Sequence, residues 1–172
     1  MNTNQEMTRK TIVITGTSRG IGNHLARTFL NRGYRVIGIS RSTTDINNPN
    51  FQSIQIDMSD LKQVSTLEAT LHSETISGLI NNTGIHGPIG PLEHSPIEQW
   101  VETFSVNLFG HTLLSQICIP SLRENQGFMI FMSGGGSAFP RPNFSAYSAS
   151  KTAIVRLSEI LAEELAPDIL VY

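Results

Sequence analysis

Between a run that reads as a strand and a run that reads as a helix, the chain places Gly16-Thr17-Ser18-Arg19-Gly20-Ile21-Gly22, and no other segment restricts the possible folds as strongly. Residues Thr11 to Thr15 (Thr-Ile-Val-Ile-Thr) are β-branched with little polarity between the threonines, which predicts a strand buried on both faces. Residues Asn23 to Arg32 carry apolar side chains at Leu25, Phe29 and Leu30 and stop at Gly33, which predicts a helix. Strand, glycine turn and helix start in that order make a dinucleotide site. Glycines let the backbone approach a pyrophosphate, and the helix N-terminus offers N–H donors and the positive end of its dipole. A glycine loop that holds nothing is the plain alternative, and the flanking strand and helix argue against it.

The rest of the chain alternates strand and helix signals, so the expected fold class is α/β: a doubly wound parallel sheet with helices on both faces. Expected strands are 11–15, 35–40, 51–56, 78–81 and 128–132, with 169–172 opening a sixth. Helical patterns run over Leu61 to Leu71, Glu98 to Ile119 and Ala146 to Leu165. Ser59 or Asp60 is the expected cap of the first of these. Gly87, Pro88, Gly90, Pro91 and Pro96 exclude regular structure after the fourth strand, and Ser133 to Ser145 reads as a second glycine- and proline-rich loop. In open α/β sheets, ligands sit at the carboxyl ends of the strands, where both loops fall.

The second strand tests which dinucleotide is preferred. An acidic residue roughly 20 positions beyond the glycines would bond a free ribose 2′-hydroxyl and repel a 2′-phosphate. That place holds Ser40 followed by Arg41, and Arg19 lies in the glycine turn itself. Charge-assisted bonds to phosphate contribute on the order of 1.5 to 3 kcal/mol each, so the pattern predicts NADP(H) over NAD(H).

Further along, Tyr147-Ser148-Ala149-Ser150-Lys151 sets a phenol and an ammonium one helical turn apart. Alone, that spacing usually marks a solvated helix face. Downstream of a dinucleotide turn it implies redox chemistry on a carbonyl or alcohol, with the Lys151 charge favouring the ionised phenol.

At 172 residues, 39% hydrophobic and 15% charged, the chain is one domain's worth of soluble globule, with the polar residues 1–10 expected to be flexible. A net charge of -2 offers no footprint for nucleic acid. No apolar run approaches the roughly 18 residues that span a bilayer, and no signal peptide is read. The lone cysteine, Cys118, cannot make an internal disulfide, so the cytoplasm is the expected location. No histidine, cysteine or carboxylate spacing suggests a metal site. His86 and His94 lie in the loop near the expected crevice, His24 and His72 read as surface, and His111 reads as an amide neighbour or interface residue.

Taken together, these motifs resemble the short-chain dehydrogenase/reductase family of NAD(P)-dependent oxidoreductases with a Rossmann-type fold. The resemblance runs from Thr11 to Leu165 through the glycine turn, Asp57, Asn81-Asn82-Thr83-Gly84, Asn107 and Tyr147 to Lys151, in order. It implies Tyr147 as general acid/base and Lys151 as the residue that lowers its pKa and holds the nicotinamide ribose. Asn107 matches the position that kinks the long helix and supports a relay water. The resemblance also implies that Asp57, with Met58 beside it, meets the adenine, and that Asn82 lines the cofactor cleft, with Thr83 and Gly84 shaping the backbone. Homodimers or homotetramers through the long helix and the Tyr147 helix are implied as well.

The chain departs from the family pattern twice. The serine that polarises the substrate carbonyl belongs thirteen residues before the tyrosine, where Gly134 stands. Ser133 and Ser137 flank it, and Ser133 is the expected substitute. Relatives are also expected to continue for roughly 60 to 80 residues past this point, within single-domain size, with a substrate-covering segment and further strand. The expected activity is therefore an NADP(H)-dependent oxidoreductase on a small carbonyl or secondary alcohol substrate. The rival is a nucleotide-binding protein with little or no turnover. An epimerase or dehydratase on a nucleotide sugar fits the glycine spacing poorly.

Overall fold

The computed structural model describes residues 10–172, so the flexible segment expected over 1–10 lies, Lys10 apart, outside the described residues. Six strands, β1 (Thr11–Thr15), β2 (Arg35–Ser40), β3 (Phe51–Gln55), β4 (Ile76–Asn81), β5 (Phe128–Phe131) and β6 (Leu170–Val171), form one sheet in the order β3-β2-β1-β4-β5-β6. Every pairing is parallel. This is the strand order of a Rossmann-type doubly wound sheet, which reverses direction between β1 and β4 and opens a crevice there.

Strand periodicity divides the core in two. Val13, Ile37, Leu79 and Met129 point to one face and pack with Leu114, Leu122 and Ile154 from the helices covering it. Ile12, Ile14, Val36 and Ile80 point to the other, against Ala26 and Leu30 of helix α1 (Gly20–Asn31). Alternate residues thus reach opposite helical layers, and the strands need to be apolar throughout. At the sheet's lower end the Arg35 guanidinium pairs with Glu74, 2.9 Å from Oε1, and Thr11 Oγ1 donates to Oε2 of the same carboxylate at 3.1 Å.

The helices differ from their expected bounds where polar side chains or close packing intervene. Helix α1 begins at Gly20, three residues before the expected Asn23, because the glycine turn folds directly into its first turn. The single helix expected over 61–71 is two short ones, α2 (Leu61–Ser65) and α3 (Leu67–Leu71). Ser65 Oγ and Thr66 Oγ1 donate back to the Lys62 and Gln63 carbonyls, competing with the helical ladder at the break. Asp60 caps α2 by accepting from the Lys62 and Gln63 N–H groups. The long helix is also divided, into α4 (Ile97–Phe104), a π-helical turn (Ser105–Phe109) and α5 (Gly110–Glu124). The loop after β5 contains one helical turn, α6 (Gly135–Ala138), before α7 (Ser145–Glu164).

Candidate active site

At the carboxyl ends of β1, β2 and β4 lies a cleft of about 600 Å³. Thr15, the last residue of β1, is buried beneath it and anchors two of its lining residues. Its hydroxyl oxygen accepts from the Asn82 and Thr83 N–H groups, both at 2.9 Å, and its carbonyl accepts from the Asn82 side-chain amide at 2.8 Å. Gly16 then turns with φ +78°, and a Cβ on Gly22 would overlap the Gly16 carbonyl. Helix α1 therefore abuts the turn so closely that only glycine fits at its contact point. Arg19 is the helix N-cap, but its side chain makes no capping bond and no acidic residue lies in the first turn. The leading N–H groups are left without a side-chain acceptor, and Gly20 and Ile21 border the cleft. This suits an anionic ligand and fits the pyrophosphate of a dinucleotide.

Of the residues expected to hold a cofactor, Gly16, Ser18, Arg19, Gly20, Ile21, Ser40, Arg41, Asp57, Met58, Asn82 and Gly84 border the cleft. Thr17 and Gly22, buried beneath the turn, do not, and neither do Tyr147 and Lys151. Ser42, Thr43, Ile56, Thr83, Ile85 and Val106 complete the lining without having been singled out from the sequence as ligand contacts. Ser42 and Thr43 sit in a polar loop whose path the sequence leaves open. Val106 reaches the cleft only because the long helix crosses behind it.

The Ser40 hydroxyl turns away to donate to the Ser42 carbonyl at 2.7 Å. Arg19 and Arg41 form no ion pair among the described residues. Asp57 uses one carboxylate oxygen to accept from Ser59 N and Oγ at 2.9 and 2.8 Å.

Past Gly84 lie the residues of the second motif. A Cβ on Gly84 would stand 3.3 Å from Lys151 Nζ and 3.4 Å from Asn107 Oδ1. Lys151 is 4% exposed and donates to the Met132 carbonyl at 2.6 Å; burial lowers its pKa from 10.5 to about 8. Asn107 is buried in the π-helical turn, and its amide is fully engaged. Oδ1 accepts from Ile85 N, and Nδ2 donates to the Ile85 carbonyl and to Ser150 Oγ, each at 2.9 Å. His111 is buried inside the chain and not at an interface, with Nε2 3.5 Å from Thr15 Oγ1. Burial first, then the Lys151 charge, push its pKa down to about 3, so the imidazole is neutral.

Tyr147, half-buried at the start of α7, carries its hydroxyl over Gly134, where an added Cβ would overlap it. Ser133 Oγ and Ser137 Oγ are 2.7 Å apart, and Ser137 Oγ also donates to the Gly134 carbonyl at 2.8 Å. Both serines thus belong to one hydroxyl pair beside the phenol. His86 packs its ring 5.0 Å from that of Tyr147. His24, His72 and His94 are exposed. No group of three potential metal ligands gathers among the described residues.

The sequence profile of the short chain dehydrogenase family matches residues 10–172. The chain belongs to that family. It is 28% identical over 177 aligned residues to 11-beta-hydroxysteroid dehydrogenase-like 3 of Arabidopsis thaliana, covering 96% of this chain and 57% of that protein. The crystal structure of a short-chain dehydrogenase from Streptomyces avermitilis superposes with a TM-score of 0.88 at 29% identity, covering 96% of this chain and 64% of the other. A 4-hydroxyisoleucine dehydrogenase complexed with NADH also gives 0.88, at 25% identity, over 95% and 71% of the two chains. The chain spans between 51% and 57% of the length of the first curated relatives it matches. Among the described residues, no helix is long and apolar enough to cross a membrane.

Proposed function

We propose that this chain carries the nucleotide-binding and proton-transfer residues of an NADP(H)-dependent oxidoreductase that interconverts a carbonyl and a secondary alcohol. The observation that carries the reading is one continuous path. The cleft that begins at the uncapped N-terminus of α1 reaches Gly84, where an added Cβ would stand 3.3 Å from Nζ of Lys151, on the helix that presents Tyr147. When bound, the nicotinamide supplies the hydride. The chain's own residues do the rest. The glycine turn and the first N–H groups of α1 hold the pyrophosphate, and Asp57 and Met58 meet the adenine. Lys151 holds the ribose, and Tyr147 gives or takes the proton at the substrate oxygen while Ser133 polarises it. Asn107 fixes the loop between Gly84 and Gly87 against the long helix, which keeps the cleft's far wall in place.

NADP(H) is favoured over NAD(H) because Arg41 and Arg19 border the cleft without a carboxylate partner among the described residues, while the residue ending β2 is Ser40. Fluorescence titration with NADPH and NADH tests this: equal affinity defeats the preference. Consumption of NADPH in the presence of a panel of ketones tests the activity.

A second reading, nucleotide binding with little turnover, draws on Gly134 standing at the family's serine position. Tight NADPH binding without turnover of any ketone decides for it. We also propose a cytoplasmic homodimer or homotetramer of one-domain subunits. Ile97, Val101 and Phe109 of the long helix are 67%, 59% and 47% exposed, a surface suited to a second copy. The single buried thiol, Cys118, suits a reducing compartment.

A further inference from the structure

Away from the cofactor cleft, three side chains continue outward from the Tyr147 ring. His86 lies 5.0 Å from Tyr147, Phe144 meets the His86 ring edge-on at 5.8 Å, and the Arg141 guanidinium sits 3.7 Å above the centre of the Phe144 ring. None of the three borders the cofactor cleft, and neither does Tyr147 itself, so the row meets the Tyr147 ring outside the lining that the glycine turn shares.

Its inner members are held in place. Ile85, before His86, has both its N–H and its carbonyl bonded to the Asn107 amide at 2.9 Å. Gly87, after it, packs so closely on Thr103 of α4 that no Cβ could be added. Gly90 N donates to the Asn143 carbonyl at 2.9 Å, tying this loop to the one that carries Arg141 and Phe144. The His86 backbone is held between two fixed neighbours, and its exposed ring rests on Tyr147 and Phe144 before any substrate arrives. Arg141, stacked on an aromatic face, forms no ion pair among the described residues, and its N–H fork is available to an anion.

We infer that His86, Phe144 and Arg141 form a recognition site for the far end of the substrate, and that this end is a carboxylate. The carbonyl to be reduced lies at Tyr147, the body of the substrate lies along the His86 and Phe144 rings, and Arg141 takes the carboxylate through paired N–H donors. The substrate class is thus an oxo acid, or the matching hydroxy acid, with its acid group well separated from the reacting carbon.

This rests on the oxidoreductase reading, so the test separates the two. Binding is measured by calorimetry, with NADP+ present, for a long-chain oxo acid and its methyl ester, using the unaltered chain, Arg141→Ala, His86→Ala and, as control, Arg156→Ala, whose partner is the exposed Glu159. NADPH affinity is measured for each protein alongside. The acid should bind about tenfold more tightly than the ester, as expected for loss of a charge-assisted contact. Arg141→Ala should remove that difference, His86→Ala should weaken both ligands, and Arg156→Ala should change neither. NADPH affinity should stay within twofold throughout. Equal binding of acid and ester, or an acid preference that survives Arg141→Ala, overturns the inference while leaving the oxidoreductase reading standing. Failure to bind NADPH overturns that reading, whereas an Arg141-dependent preference for the acid in the same titration would still support the carboxylate site.

Discussion

The Tyr147 hydroxyl occupies the space that a side chain at residue 134 would need, so Gly134 and Tyr147 exclude each other's alternatives. Gly134 is extended, with φ -165° and ψ 163°, a conformation open to any residue, so the requirement is one of contact and not of backbone. Gly134→Ser and Gly134→Ala should each displace the phenol. We expect a loss of turnover of tenfold or more with NADPH affinity within twofold, and an overpacking cost of about 1 to 3 kcal/mol in urea unfolding. An unaffected turnover would show that Tyr147 does not need its present position.

Ser133 and Ser137 share a hydrogen bond beside that phenol, and Ser137 holds a second bond to the Gly134 carbonyl. Ser137 spends its single hydroxyl proton on the Gly134 carbonyl, so Ser133, the more exposed of the two, donates to Ser137 in the free site and turns that proton to the substrate oxygen when one binds. Ser133→Ala is expected to lower kcat by about a hundredfold, in the range for loss of one positioned donor. Ser137→Ala is expected to lower it less than tenfold, through a looser Ser133. Steady-state kinetics on both variants check the order, and a larger loss in Ser137→Ala reverses the assignment.

Arg41 borders the cleft one residue past the end of β2, with no carboxylate paired to it among the described residues. Replacing it with alanine should weaken NADPH by about 10- to 100-fold, the equivalent of one charge-assisted phosphate contact of about 1.5 to 3 kcal/mol. NADH should change less than threefold. Increasing salt should weaken NADPH more in the unaltered chain than in the variant.

The sheet was legible because its signals are local and redundant. Thr11–Thr15 and Arg35–Ser40 are rich in β-branched residues, flanked by glycine or turn residues, and recur at helix-length intervals, and that alternation alone predicts a parallel sheet. The cleft's glycine-turn end was legible for the same reason: glycines, strand and helix start lie within one short segment. What stayed hidden depends on residues far apart in sequence. The resemblance already implies a kink of the long helix at Asn107, but the partners that hold it at Ser105–Phe109, Ile85 and Ser150, are not visible from within the helix. The break at Thr66 was available from Ser65 and Thr66 themselves, whose hydroxyls compete with a helix, but regular apolar spacing at Leu61, Val64, Leu67 and Leu71 outweighed that signal. Gly134 read as a missing serine; only the position of Tyr147 shows what the glycine admits.

Lys151 gives the site a pH signature that separates function from stability. Burial lowers its pKa from 10.5 to about 8, which corresponds to about 3 kcal/mol of destabilisation while the residue is charged in both the folded and the unfolded chain. Below pH 8 that cost is present in full. Between about 8 and 10.5 the unfolded chain holds a proton that the folded chain has released, so stability rises with pH across that window; above it the cost is gone. Lys151→Met removes the charge but leaves the Met132 carbonyl without its donor, a loss of about 1 kcal/mol. The variant free of cofactor should therefore be more stable than the unaltered chain by about 2 kcal/mol at pH 7, with the advantage shrinking and reversing by pH 10.5. Urea unfolding of both proteins from pH 6 to 10.5 measures the difference, to which titrating groups out of reach of the Lys151 charge contribute nothing. A difference that does not vary with pH would mean that the ammonium is already hydrated. A variant that is more stable yet has lost turnover would show that the chain retains a destabilising charge for the chemistry at Tyr147.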